Sequence, residues 1–302
     1  MKYKIFTALV ATAFGLNSAH SAAIPKESLT PVMPPAIYAV PGVEMNVYFK
    51  NIVLSKRIDD LLFKVNCKVG KEISGRWTLK AAGNQVGTYP ISISVSKAGK
   101  TIGTAESKLV ISPVDAGKGK KIKLLIVGDS LTHSSRYPNR LSALLSKPGN
   151  PQWQMLGTHR PRACKTGVMH EGYGGWTWER FATHYEPKPD GTHKKKSSPF
   201  VFMGKNGKPT LDFARYIKEK CKGQKPDYIT VLLGINDCFG AGLNPDKIAE
   251  SKYQKMFKNA DILVKEFRKV CPKATIGICV TPPANSRQEA FLANYKGRYN
   301  RD

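Results

Sequence analysis

The spacing of apolar residues changes partway along the chain. Residues 43–113 carry short alternating runs: Met45-Asn46-Val47-Tyr48-Phe49, Leu61 to Val69, Ile73 to Leu79, Ile91-Ser92-Ile93-Ser94-Val95, and Ala105 to Ser112. Period-two alternation, with turn residues between the runs, predicts a small β-sandwich. From residue 122 the apolar runs are unbroken. Leu124-Leu125-Ile126-Val127 ends at Gly128-Asp129-Ser130, Tyr228 to Leu233 ends at Gly234, and Thr275 to Val280 ends at Thr281-Pro282. Such runs predict strands buried on both faces, as in a parallel sheet. Trp153 to Gly157 reads as a further strand. Leu131 to Leu145 has helical character, and Met256, Ala260, Leu263, Phe267 and Val270 form one helical stripe that starts near Asn244-Pro245 and ends at Cys271-Pro272. The alternation of strand and helix predicts an α/β fold with a doubly wound parallel sheet, preceded by the small β-sandwich domain.

Punctuation sets the boundaries. Met1-Lys2-Tyr3-Lys4, the apolar run Ile5 to Leu16 and the small residues Ser18 to Ala23 predict a cleaved secretory signal peptide over residues 1–23. Residues 24–114 form the β-domain, with a Pro-rich lead-in over 24–42. Residues 115–121, Asp-Ala-Gly-Lys-Gly-Lys-Lys, form a linker, and residues 122–302 form the α/β domain. No later segment is long and apolar enough to span a membrane, so the predicted location is secreted or periplasmic. In that compartment six cysteines permit disulfides. Cys164 and Cys238 fall in loops near the expected site and are one candidate pair. Cys279, within a buried strand, reads as a small core residue.

Ser130 follows a buried strand and opens a helix, where open α/β sheets place their chemistry. A helix cap is the plainer reading of the same serine. Gly128-Asp129-Ser130-Leu131 resembles the first block of the SGNH (GDSL-type) hydrolases. Glu171-Gly172-Tyr173-Gly174-Gly175-Trp176-Thr177 resembles the second block, with Gly175 aligned to its glycine. Gly234-Ile235-Asn236-Asp237 resembles the Gly-x-Asn-Asp third block. The resemblance covers roughly residues 121–302. It implies the flavodoxin-like sheet of that family and a serine ester hydrolase that works through an acyl-enzyme, without metal or cofactor. It also implies three oxyanion donors: the N–H of the nucleophile Ser130, the N–H of Gly175 and the side chain of Asn236. Asp129, Trp176, Gly234 and Asp237 are candidate neighbours of substrate. The stretch Gly87 to Ser112 loosely resembles the closing hairpin of bacterial Ig-like domains; its role is read as buttressing the hydrolase, with carbohydrate binding as the alternative.

The family's fourth block, Asp-x-x-His, supplies the base that a serine hydroxyl requires. It has no counterpart here. His20, His133, His159, His170, His184 and His193 all precede the third block, and the pattern predicts that a C-terminal piece of the domain is missing. Of the resident imidazoles, His133 lies three residues beyond Ser130, on its turn. His170 precedes the second block and reads as able to reach the pocket, His159 as structural, and His184 and His193 as exposed. No pair has metal-ligand spacing. The net charge of +26 favours polyanionic partners, yet no nucleic-acid motif appears. Lys194-Lys195-Lys196 is the one tight basic cluster and reads as a solvated face. The long segment Tyr185 to Pro209 leaves the second block and is expected to border the substrate groove. These features together predict a carbohydrate O-acetylesterase acting on an acylated polysaccharide or oligosaccharide, acidic or neutral. A lipase or lysophospholipase and an inactive glycan-binding remnant are the alternatives.

Overall fold

The structure, a computed structural model, describes residues 29–53, 55, 58–239, 245–282 and 287–296. The proposed signal peptide therefore lies outside the described residues. The chain divides into two compact units between Ala116 and Gly117.

The first unit is all-β apart from short helical turns. Strand β1 (Ala36–Ala39) joins β7 (Lys100–Ile111), β6 (Gly87–Lys97) and β3 (Leu62–Asn66) in one sheet. Strands β2 (Glu44–Tyr48), β5 (Arg76–Lys80) and β4 (Lys71–Ile73) form a second. Both sheets contribute to one core, which contains Trp77 and Leu79 from one sheet and Ile91, Ile93, Val95, Leu109 and Ile111 from the other. The alternation expected around Ile91 to Val95 is present because every second residue faces that core. Ala98 and Gly99, both at positive φ, close the long β6–β7 hairpin. The run Ile73 to Leu79 is not one strand: Ser74-Gly75 turns it into β4 and β5.

The second unit is a mixed α/β fold around an all-parallel sheet. It begins with β8 (Lys121–Gly128), so Lys121 belongs to the sheet and not to the linker. β9 (Gln152–Leu156) pairs with the first half of β8, and β10 (Glu171–Gly172) pairs with its end, on Val127 and Gly128. On the other side of β8 lies β13 (Tyr228–Leu232), followed by β14 (Thr275–Ile278). The first strand is thus flanked by the second on one side and the third on the other. Such a switch opens a crevice beyond the carboxyl ends of the strands.

Both faces of the sheet are covered. Leu125 and Val127 pack into a core with Phe181, Phe213, Tyr216, Leu263 and Phe267, drawn from the helices Trp178–Thr183, Phe213–Glu219 and Pro245–Val270. Ile126 faces the opposite way, toward Met155, Val168, Tyr137 and Leu141. A short antiparallel pair, β11 (Val201–Met203) and β12 (Pro209–Leu211), lies within the second unit outside the parallel sheet. Among the described residues no helix is long and apolar enough to cross a membrane.

Three sequence expectations are corrected. The helix expected over Leu131 to Leu145 is two pieces, Ser130–His133 and Arg136–Leu145, because Ser135 takes φ +60 between them. All six cysteines are free thiols, so Cys164 and Cys238 are unpaired, and Cys279 is exposed because it follows β14, which has a sheet partner on one side only among the described strands.

Candidate active site

Three loops meet at the carboxyl ends of β8, β10 and β13. After β8, Asp129 caps the short helix Ser130–His133: its Oδ1 accepts from the Leu131 N–H at 2.9 Å. The capping role that could have explained Ser130 therefore belongs to Asp129. Ser130 is exposed, and its hydroxyl has no hydrogen-bond partner among the described residues. Gly128 permits this tight exit. A Cβ there would lie 2.0 Å from Thr132 Oγ1 and 3.0 Å from the Leu232 carbonyl oxygen, so the buried Thr132 can fold back beneath the serine only because no side chain intervenes.

After β10 the chain makes a turn in which the Trp176 N–H donates to the Tyr173 carbonyl at 3.2 Å. Gly175, at the third position, has φ +76 and open space on its Cβ side. Thr177 then caps the helix Trp178–Thr183 by accepting from the Arg180 N–H at 3.1 Å. After β13, Gly234 (φ +124) turns the chain into Ile235–Cys238.

The loops are tied by side chains. Asn236 Nδ2 donates to the Trp176 carbonyl at 3.0 Å and reaches Asp129 Oδ2 at 3.4 Å. Asp237 accepts from the Trp178 N–H at 3.2 Å. Burial pushes Asp237 up to about 6, with the N–H bond from Trp178 opposing it, and burial likewise raises Asp129. The structure thus brings Ser130, the Gly175 turn and Asn236 into one neighbourhood. Asp129 and Gly234 are buried behind it, and Asp237 serves as a tie between loops. Trp176, expected as a neighbour of substrate, is instead a core residue. Its ring is fully buried against Tyr173 and Phe181, and its Nε1–H donates to the His193 carbonyl at 3.0 Å. Trp178 is core as well.

The imidazoles depart further from expectation. His170 is fully buried. Its Nδ1 accepts from the Gly172 N–H at 3.1 Å, which leaves Nε2 as the protonated nitrogen, 3.2 Å from Ser135 Oγ. So bonded, it has no free lone pair to serve as a base. His133 Nδ1 lies 2.9 Å from His159 Nε2, and the His133 ring sits between those of His159 (5.1 Å) and His193 (5.4 Å). His193 is therefore half-buried and not exposed. Through it, through Lys194 and through Lys196, the long loop after Tyr185 folds back on the second block. No imidazole bonds to Ser130 among the described residues.

Burial first, then the charges of His170, His133, Lys196 and His193, push His159 down to about 3; burial and the charge of His133 push His170 down to about 4. Both folded values lie below the ordinary 6.5. Between these limits the unfolded chain binds more protons than the folded one, so stability falls as pH drops from neutrality toward 4. Calorimetric melting from pH 7 to pH 4 should show that decline, and His159→Gln should flatten it. Equal slopes in both proteins would remove His159 as a cause.

A buried acid beneath the site escaped the sequence reading. Glu171 is fully buried in β10. Its Oε1 accepts from the Thr158 N–H (2.7 Å) and the Tyr216 hydroxyl (2.8 Å). Its Oε2 accepts from the Tyr173 hydroxyl (2.5 Å) and the Thr158 hydroxyl (3.1 Å). Lys196 donates to the Tyr173 oxygen at 3.1 Å and lies over that ring, so one member of the lysine cluster turns inward. The visible signal was an acidic residue inside an otherwise uncharged strand. Among the described residues no group of three or more His, Cys, Asp or Glu side chains is disposed to hold a metal ion.

No protein-family model and no curated protein matches the chain. Among solved structures it is similar to a family 3 carbohydrate esterase of Clostridium thermocellum, at 19% identity over 59% of this chain and 68% of that one, with a TM-score of 0.32. A glycan-binding protein, SGBP-B of the Bacteroides ovatus mixed-linkage glucan utilization locus, solved with a heptasaccharide, matches at 13% identity over 33% of this chain and 28% of its own, with a TM-score of 0.23. An endo-fucoidan hydrolase of glycoside hydrolase family 107 matches at 10% identity over 30% of this chain and 14% of its own, with a TM-score of 0.23. The chain thus spans less than a third of the last two.

Proposed function

We propose that the chain is an exported serine ester hydrolase of the SGNH type that removes acyl groups, acetyl first, from a polysaccharide or oligosaccharide. The observation that carries this reading is the meeting of an exposed, unbonded Ser130 with the Gly175 turn and Asn236 at the carboxyl ends of adjacent parallel strands. Ser130 Oγ attacks the acyl carbonyl and gives its proton to a general base, which no described residue bonded to Ser130 supplies and which returns the proton to the departing sugar oxygen. The carbonyl oxygen becomes an oxyanion, bound by the N–H groups of Ser130 and Gly175 and by Asn236 Nδ2. Collapse expels the sugar hydroxyl and leaves an acyl-serine, which water then hydrolyses. Asn236 keeps its 3.0 Å bond to Trp176 for orientation and exchanges the long 3.4 Å contact with Asp129 for the oxyanion. Asn236→Ala should therefore slow turnover by about 100- to 1,000-fold with little change in KM. A rate within threefold of wild type removes it from the site.

A polar cleft beside Gly175, lined by Thr177, Glu179, Arg180, Thr183, His184 and Tyr185, favours a sugar over a long acyl chain, and so a carbohydrate esterase over a lipase. The second reading, a glycan-binding protein without turnover, is favoured by one observation: no imidazole bonds to Ser130 among the described residues. The deciding experiment measures acetate release from acetylated xylo-oligosaccharides by the full chain and maps fluorophosphonate labelling by mass spectrometry. Acetate release with the label on Ser130 supports the esterase. A folded protein that releases no acetate, takes no label and still binds the oligosaccharide supports the binding reading.

A further inference from the structure

The cleft beside Gly175 contains a cation that the esterase mechanism does not use. It is open, with a volume of about 610 Å³, within the usual range of small-ligand sites. Gly175 lies in its lining, so a group in the cleft is a neighbour of the acyl group at Ser130. Thr177, Thr183 and Tyr185 give it hydroxyls, and Glu179, Arg180 and His184 give it titratable groups. Glu179 is already matched, with its Oε2 2.9 Å from Lys255 Nζ. Arg180 is not: no carboxylate lies within ion-pairing distance of it among the described residues, and Glu186 acts on it only at longer range.

The guanidinium is nevertheless held in place. Its centre sits 4.9 Å over the buried Trp176 ring. Its Nη2 donates to the Lys194 carbonyl and lies 3.4 Å from His184 Nε2. Its Nε is buried and closed to a ligand, which leaves Nη1, without a hydrogen-bond partner among the described residues, as the donor available in the cleft. A fixed, planar guanidinium with an outer nitrogen left unpaired is well suited to carboxylate or sulfate. The lining of this hydroxyl-bearing cleft thus includes both a fixed cation with spare donor capacity and the Gly175 turn.

We propose that the Arg180 cleft is a subsite for an anionic group, carboxylate or sulfate ester, on the sugar that bears the acyl group or on its neighbour. This deepens the esterase reading and rests on it for the position of the acyl group, while binding at Arg180 is measurable without turnover. The position of the cation beside the Gly175 turn distinguishes the proposal from diffuse attraction by a chain of net charge +26.

The test is calorimetric titration of the full chain with three ester-free tetrasaccharides: tetragalacturonate (carboxylate), a sulfated galactan tetrasaccharide (sulfate) and neutral xylotetraose. At least one anionic ligand should bind tenfold or more tightly than the neutral one, and which of the two does so identifies the anion. Arg180→Met should remove that preference, whereas Lys265→Met, at an exposed lysine that is not among the cleft-lining residues, should keep it. Arg180 also braces Lys194, so Thr183→Tyr is the companion variant: it fills the cleft and leaves the guanidinium intact, and it should weaken the same ligand tenfold or more. Equal affinity for all three sugars overturns the proposal. So does an anion preference that survives both Arg180→Met and Thr183→Tyr. Because none of the ligands carries an ester, these results stand apart from whether acetate is released.

Discussion

Ser130→Ala should reduce acetate release by about 10⁴-fold or more, to the level of the remaining binding and oxyanion groups, and leave the melting temperature within a degree or two of wild type. Both halves follow from the geometry. The serine is exposed and its hydroxyl has no partner among the described residues, so the fold loses no hydrogen bond with it. The helix it opens is capped by Asp129 Oδ1 on the Leu131 N–H, and alanine is at least as good as serine in a first helical turn. Initial rates on an acetylated oligosaccharide, beside calorimetry on the same samples, measure both. A variant retaining a tenth of the rate would show that another group carries the chemistry. A melting temperature lowered by several degrees would show that Ser130 serves the structure.

Glu171→Ala should have the converse profile, a large loss of stability. The carboxylate is fully buried and accepts from the Thr158 N–H and from the hydroxyls of Thr158, Tyr173 and Tyr216. Alanine would leave those donors facing a void that water does not readily enter. Breaking a buried charged network costs about 3–5 kcal/mol, which for a unit of this size corresponds to a fall of about 10 °C in melting temperature. Burial raises the acid's own pKa, with the two tyrosine hydroxyls and Lys196 opposing it, so the protonation state is a balance that Glu171→Gln will shift. The amide keeps an acceptor on one side but directs an N–H toward a hydroxyl on the other. Its expected loss is about half that of alanine. Thermal melts of the two variants check the order, and similar melting temperatures for wild type and Glu171→Ala would show that the donors find other partners.

What could be read from the sequence follows from how far each signal extends. The parallel strands were legible because burial on both faces leaves an unbroken apolar run, as in Leu124 to Val127, and because the run is short and ends on turn residues, which sets it apart from a buried helix. The sandwich strands were legible through alternation, except where two residues, Ser74 and Gly75, cut one run into two. The helix after Ser130 was read as continuous because the residues that marked it, Leu141, Leu144 and Leu145, all lie beyond Ser135, so the single residue at φ +60 before them left no trace in that pattern. The neighbourhood of Ser130, Gly175 and Asn236 was named from local motifs, each at the end of a strand. The roles of Trp176, His170 and Glu171 were not legible. Whether an aromatic ring faces solvent or core, or which nitrogen an imidazole offers, depends on residues 17 to 45 positions away: His193 for Trp176, Ser135 for His170, and Tyr216 for Glu171. The inward turn of Lys196 is of the same kind, since nothing in a run of three lysines distinguishes the one that meets a tyrosine.

The ties among the three loops have a consequence for how the molecule opens. Asn236 fastens the turn after β10 to the loop after β13, Asp237 fastens that loop to the start of the helix Trp178–Thr183, and Asp129 lies within reach of Asn236 from the loop after β8. Surface loops ordinarily fray one at a time, each with its own low opening free energy. Here, no one of the three can swing away without breaking a bond to another. The amides of Leu131, Trp176 and Trp178 should therefore exchange with solvent deuterium as one cooperative group, slower than loop amides elsewhere on the unit. A ligand arriving at Ser130 would meet parts already assembled, and little of its binding energy would go into ordering them.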